Sequence, residues 1–372
     1  MKTKIGIVVG KFLPLHRGHL SHIFNSYTQV DHLYIVVCDN DRLDRRLSAQ
    51  NGLKYIPSDL RLRWLITELS GFNNMHVSIL KESPLVDEYP LGWNQWSLEL
   101  KEHLKSEYDL RLSDSIWFED NEVTIFTGES EDVLGYESRF PGCKVQYFDK
   151  QMSRYPVSGT LIRKNPLQYW DYIAGSARKF FAKKILITGT ESCGKTTLTK
   201  AMAKVYHTSW AEEMGRIYVE QKVKDERYIT DEDYLNIIDL QVESNEHAMK
   251  TCNKICFFDT DIVVTWYYYL LYSQELNRPV NENVALSVLN AFNLHYRDTF
   301  DSIYFLSPDV PWINDGLRRH KNNRNELNTL LLKKYLSFYG EEKYNQIIVL
   351  NGNYHDRWIK LYSDMSEMIK NG

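Results

Sequence analysis

The stretch Gly189-Thr190-Glu191-Ser192-Cys193-Gly194-Lys195-Thr196 follows an apolar run, Lys184 to Thr188, and precedes Leu198, Met202 and Val205 at helical spacing. It matches GxxxxGK[ST] in full, in the strand–loop–helix setting that the chemistry needs. Glycines let the backbone curl so that its N–H groups face phosphate oxygens, and the following helix N-terminus adds partial positive charge. Gly189, Ser192, Gly194, Thr196 and Thr197 are therefore expected to bind ATP. Lys195 is expected to bridge its terminal phosphates, and Thr196 to hold Mg2+. Asp259 ends the apolar run Ile255 to Phe258, with Asp261 just beyond. A strand closed by solvated acids would read the same way. Beside this loop, however, Asp259 is expected as the second magnesium-side group.

Arg318 and Arg319 follow Asp315-Gly316-Leu317, after Pro308 and Pro311. Arginines on a moving segment can close over ATP and neutralise charge that develops in phosphoryl transfer. A solvated helix start would carry the same pair. An acceptor hydroxyl also needs a base or an orienting acid. Asp261 and Glu213 are both candidates, and the sequence does not choose between them.

A second cluster stands near the start: Gly10-Lys11-Phe12-Leu13-Pro14-Leu15-His16-Arg17-Gly18-His19, after the strand-like Ile5 to Val9. Two histidines three apart at a helix start can approach one phosphate together. Gly18 lets the chain come close, and the helix N-terminus favours an anion. A metal pair or a surface histidine cluster is the alternative. A metal pair would call for a third ligand nearby and has no use for the glycine–lysine–proline lead-in.

The elements that must position these groups form two α/β patterns. In the first, strands are expected near 5–9, 33–37, 77–80, 123–126 and 145–148. A helix follows Gly18, and Ser58 is expected to cap another carrying Leu62, Leu65, Ile66 and Leu69. The second begins at Lys184, with later strands at 255–258, 303–306 and 347–350 and a closing helix near 355–370. The fold class expected is α/β with parallel sheets in both halves: a Rossmann-like domain over 1–176 and a P-loop domain over 177–372. The aromatic, basic text near 164–183 reads as a packed connection rather than a floppy linker.

Bulk properties narrow the function. At 372 residues the chain suits two domains, and its net charge of −4 offers no global field for nucleic acid. Five scattered cysteines form no closed disulfide framework and no zinc spacing. Neither a signal peptide nor a membrane span is evident, so the cytoplasm is the default and no membrane insertion is expected. A homo-oligomer is compatible with the sequence but not specified by it.

The Gly10–His19 cluster resembles the nucleotidyltransferase superfamily, whose (H/T)xGH motif holds ATP phosphates. That superfamily has a second motif, IS(S/G)TxxR, matched here by Val157-Ser158-Gly159-Thr160-Leu161-Ile162-Arg163 with valine in place of isoleucine. The resemblance implies that Gly10, Phe12, Gly18, Ser158 and Thr160 bind ATP. It also implies that His16, His19, Lys11 and Arg163 neutralise the transferring phosphates. With the P-loop downstream, the chain resembles the bifunctional NadR type, a nicotinamide-nucleotide adenylyltransferase joined to a ribosylnicotinamide kinase. Asp59 to Trp64, Tyr89 to Ser97, Phe126 to Glu129, Asn165 to Trp170 and Ala177 to Phe181 extend the likeness. It implies ATP, Mg2+, nicotinamide riboside, nicotinamide mononucleotide and NAD as the small-molecule partners. Trp93 or Trp96 would stack on the pyridinium ring, and Glu213 would face substrate. Core packing is the commoner task of a tryptophan. Relatives that carry a DNA-binding helix-turn-helix set it before the catalytic strand. Here that strand opens the sequence, so repression is not expected. Another adenylyltransferase–kinase fusion, or a nucleotide sensor with weak turnover, are the rival readings.

Overall fold

The computed structural model describes residues 1–84, 91–114, 116–148, 155–223, 228–313 and 323–371. The chain divides into two compact units, Met1–Phe180 and Phe181–Asn371. The division falls four residues after the expected 176/177 boundary. The connecting text accounts for this: Leu167, Trp170, Ile173 and Ala177 are buried, and Ala174 N–H donates to Leu15 O, within the first unit.

In the first unit a five-stranded parallel sheet has the order β3-β2-β1-β4-β5. The strands are β1 (Thr3–Gly10), β2 (His32–Asp39), β3 (Met75–Lys81), β4 (Asn121–Thr127) and β5 (Lys144–Tyr147). Ile5, Ile7 and Val8 on β1 are buried, as a central parallel strand covered on both faces requires. The chain leaves β1 through α1 (Arg17–Tyr27) towards β2 on one side, while β4 lies on the other. The end of β1 is thus a topological switch point, where α/β sheets open a crevice for ligands. The unit's other helices are α2 (Asp41–Ala49), α3 (Ser58–Glu68), α4 (Trp93–Tyr108), α5 (Trp117–Asp120), α6 (Val133–Arg139), α7 (Gly159–Lys164) and α8 (Gly175–Phe181).

One expectation is corrected here. Ser58 does not cap α3; Pro57 holds the N-cap position, and the Ser58 hydroxyl donates to Asp39 Oδ2 at 2.8 Å. Ser58 is the first residue of α3, and its hydroxyl is spent on a strand-end carboxylate rather than on the helix.

The second unit has the parallel order β10-β9-β6-β8-β7. Its strands are β6 (Lys183–Gly189), β7 (Trp210–Ala211), β8 (Ile255–Asp259), β9 (Ser302–Leu306) and β10 (Ile348–Leu350). β6 is central, flanked by β8 and β9, so its carboxyl end is again a switch point. The helices are α9 (Lys195–Val205), α10 (Met214–Tyr218), α11 (Asp231–Thr251), α12 (Ile262–Glu275), α13 (Glu282–Ala291), α14 (Arg324–Tyr344) and α15 (Tyr354–Asn371). β7, only two residues long, carries too little pattern for a sequence reading to find. No helix among the described residues is long and apolar enough to cross a membrane.

Candidate active sites

At the end of β1 the backbone turns through Phe12 at positive φ and enters α1 with His16 as its N-cap. The His16 Nδ1 accepts from His19 N–H at 3.3 Å, so the ring caps the helix with its own nitrogen. The His16 and His19 rings stack with centroids 3.6 Å apart, and Phe12 stands edge-on to His19 at 5.0 Å. Gly18 makes that stacking possible. A Cβ there would lie 3.0 Å from His16 Cε1 and 3.1 Å from its Nδ1. Gly18→Ala is therefore expected to push the His16 ring aside and weaken ATP binding at this end of the sheet roughly tenfold. Calorimetric titration in a Lys195→Ala background isolates this cradle; unchanged affinity would show that the ring's position does not matter.

The second motif reaches the first across 150 residues. Arg163 on α7 is buried, and its Nη1 donates to Leu13 O at 2.5 Å while Nη2 donates to Thr160 Oγ1 at 3.0 Å. A Cβ on Gly159 would meet Leu13 O at 2.7 Å, so only glycine allows this approach. Ser158 caps α7 by accepting from Leu161 N–H. Ser158 is half-buried and Thr160 exposed, on the turn that faces the Leu13 segment. Burial lowers the Arg163 pKa, and the negative Asp44 opposes that shift.

Lys11 is anchored by a group that the sequence reading passed over. Its Nζ donates to Asp44 Oδ1 at 3.1 Å, and Arg61 Nη2 donates to Asp44 Oδ2 at 2.6 Å. Arg61 is fully buried and also donates to Lys11 O, Cys38 O and Asp39 Oδ1. A buried guanidinium of this kind fixes the loop by several charge-assisted bonds at once.

Trp93 and Trp96 open α4 and lie edge to face, 5.2 Å apart, each also edge-on to Tyr136. Both pack on the hydrophobic core of this unit. Trp96 lies near Cys38 at the end of β2, where burial pushes the thiol up to about 12. Trp93 covers Gly135 and has Arg139 over its ring at 5.5 Å. Packing thus occupies much of both indoles, and Trp96 is the one near the strand ends.

In the second unit Gly189, Ser192 and Gly194 all have positive φ. At Gly194, φ is +88° and a Cβ would lie 2.6 Å from Tyr354 Cε1, so glycine is required twice over. Lys195 opens α9, is buried, and donates to Thr190 O at 3.0 Å. Thr196 is half-buried and Thr197 exposed on the same first turn. Two distant arginines brace the loop. Arg357 on α15 donates to Cys193 O and Ser307 O, both at 2.6 Å. Arg324 at the start of α14 donates to Ser192 O at 3.2 Å. Neither carries a local sequence signal, since each reaches a P-loop carbonyl more than a hundred residues away.

Asp259 ends β8, 1% exposed, with Thr196 near enough to act on its carboxylate. Burial, then the nearby Glu213, raises its pKa to about 7 against the pull of Lys195. Its Oδ1 is buried with no hydrogen-bond partner, an unusual state for a carboxylate oxygen. A hard dication supplies such a partner, so Thr196 and Asp259 suit Mg2+. No group of three or more His, Cys, Asp or Glu among the described residues could hold a metal ion. Magnesium bound mainly through phosphates and water needs no such cage.

Asp261 is placed differently from the expectation that made it a catalytic candidate. It is fully buried and caps α12, accepting from Val263 and Val264 N–H. Tyr335 Oη donates to Oδ1 at 2.6 Å and Tyr339 Oη to Oδ2 at 3.2 Å. With both oxygens engaged it serves the fold. Burial raises its pKa from 3.8 to about 6, so ionising it costs stability above about pH 6. That cost is relieved as pH falls from about 6 towards the ordinary value. The melting temperature of Asp261→Asn minus that of the parent is therefore expected to rise between pH 5 and pH 7.5. A flat difference would contradict this.

Glu213, by contrast, lines the cleft beside the P-loop together with Lys195, Arg216, Tyr234, Tyr268 and Tyr272. The buried Gln241 holds its segment, accepting from Met214 N–H and donating to Glu212 O. Arg318 and Arg319 lie outside the described residues.

The fold defines a two-unit α/β protein with a glycine-bearing turn at the switch point of each sheet. Residues 184–357 match the family described as AAA domain. Over 99% of its length the chain is 30% identical to the trifunctional NAD biosynthesis/regulator protein NadR of Escherichia coli strain K12, covering 84% of that protein. It is 33% identical over 85% of its length to the protein of the same name from Salmonella typhimurium, covering 72% of it. A crystal structure of a NadR protein in complex with NR superposes with a TM-score of 0.77 at 28% identity, covering 99% of this chain and 96% of that one. Another, with NAD and AMP-PNP, gives 0.75 at 27%, covering 98% and 96%. The chain belongs to the NadR family.

Proposed function

We propose that the chain makes NAD in two ATP-dependent steps, phosphorylating nicotinamide riboside in the second unit and adenylylating the mononucleotide in the first. The observation that carries the reading is the Arg163–Leu13 bond, which unites both phosphate-binding motifs of one unit in a chain that also has a P-loop. The ligands named for the two NadR structures, NR, NAD and AMP-PNP, support the same reading.

In the second unit the riboside hydroxyl attacks the γ-phosphorus of ATP and ADP leaves. Lys195 turns from Thr190 O to the β- and γ-phosphates, and Glu213 accepts or orients the hydroxyl proton. Tyr234, Tyr268 and Tyr272 offer aromatic faces to a flat cationic ring, with Glu191 and Glu213 supplying opposite charge. Mg2+, held by Thr196 and Asp259, would neutralise charge on the phosphate oxygens.

In the first unit a mononucleotide phosphate oxygen bonds to the α-phosphorus as the bond to the β-phosphate oxygen breaks, releasing pyrophosphate. No enzyme nucleophile is needed. His16, His19, Lys11 and Arg163 orient two polyanions and stabilise the added charge, while Ser158 and Thr160 receive the departing phosphates.

The test is product analysis with magnesium-ATP and a panel of acceptors. Nicotinamide riboside should give the mononucleotide and ADP, and the mononucleotide should give NAD and pyrophosphate. Phosphorylation of other nucleosides in preference, or no NAD from the mononucleotide, would overturn the assignment.

A further inference from the structure

Asp44 belongs to neither phosphate motif, yet its carboxylate is shared between two cations. Arg61 Nη2 holds Oδ2 at 2.6 Å, and Lys11 Nζ holds Oδ1 at 3.1 Å. The two partners are not equivalent. Arg61 is fully buried and tied to two backbone carbonyls and Asp39, so it stays where it is. The Lys11 side chain is 31% exposed and sits on a flexible four-carbon stem, so it can turn. The carboxylate also acts at a distance on the guanidinium of Arg163. One buried acid thus offsets positive charge converging where a polyphosphate would lie.

We propose that Asp44 is a positioning residue that holds Lys11 until a polyphosphate takes the ammonium, and recovers it when pyrophosphate leaves. The proposal rests on the adenylyl-transfer reading of this cradle. Asp44 and phosphate compete for one ammonium, so the carboxylate weakens binding of ATP and pyrophosphate alike and speeds release of product. Its grip on Arg61 persists throughout and keeps the loop in shape. A purely structural Asp44 predicts the opposite sign, because losing it would loosen Lys11 and weaken both ligands.

The experiment uses the full chain and pyrophosphate itself as probe, by calorimetry and by product inhibition of NAD formation. Asp44→Asn keeps an acceptor for Arg61 while removing the charge. It should bind pyrophosphate roughly tenfold tighter, with a lower KM for ATP and a lower kcat wherever release limits turnover. Lys11→Met should bind pyrophosphate about tenfold more weakly, and adding Asp44→Asn to it should recover only about twofold, the part that reaches the ligand through Arg163. Unchanged or weaker binding in Asp44→Asn overturns the proposal, as does a full tenfold gain from Asp44→Asn in the Lys11→Met background. Should Asp44→Asn fail to fold, Asp44→Ser takes its place, since its hydroxyl is also an uncharged acceptor for Arg61: tighter pyrophosphate binding upholds the exchange, and unchanged or weaker binding ends it. Parent protein that binds pyrophosphate yet makes no dinucleotide would count against the adenylyl-transfer reading instead.

Discussion

Lys195→Ala is expected to cut phosphoryl transfer to the riboside on the order of a thousandfold while adenylyl transfer continues at the parent rate. Lys195 is the cation of the glycine loop, buried and already aimed along it through its bond to Thr190 O. Alanine removes the charge that meets the terminal phosphates but little that holds the fold. α9 stays anchored by Leu198, Met202 and Ala203, and the loop keeps its braces from Arg324 and Arg357. ADP release with riboside as acceptor, and NAD formation from supplied mononucleotide, read the two steps separately. Loss of both in folded protein would refute independent sites.

His19→Ala is the counterpart, expected to slow adenylyl transfer on the order of a hundredfold with phosphoryl transfer intact. His19 is half-buried, stacked on His16 and edge-on to Phe12, so its ring is fixed before any phosphate arrives. His16 makes a poorer probe. It caps α1, and alanine there also forfeits about 1 kcal/mol of helix stability. The pair should therefore separate in melting experiments: His16→Ala melts lower, His19→Ala close to the parent. Equal melting shifts, or adenylyl transfer that survives His19→Ala, would contradict the assigned roles.

What could be read from the sequence was what lies close together along it. Gly189 to Thr196 and Gly10 to His19 are contiguous, and each joins a buried strand to a helix, so their local physics is written in adjacent residues. The two sheets were legible for the same reason, since apolar runs such as Ile5 to Val9 and Ile255 to Phe258 have no other use. Asp44, Arg61, Arg324 and Arg357 were not legible, because each acts on atoms brought near only by folding. Arg357 and Cys193 O, for instance, are 164 residues apart. Asp261 did have a readable signal. An aspartate directly before Ile262-Val263-Val264 is a helix cap by position, and its nearness to Asp259 invited a chemical role instead.

The brace from Arg357 gives the P-loop an unusual dependence on sequence far downstream. A polypeptide ending before residue 354 would carry every letter of GxxxxGK[ST] yet lack both the guanidinium on Cys193 O and the Tyr354 ring packed over Gly194. During synthesis this nucleotide pocket therefore cannot take its final shape until α15 has left the ribosome. The cradle's final form thus waits on a residue 164 positions downstream of Cys193.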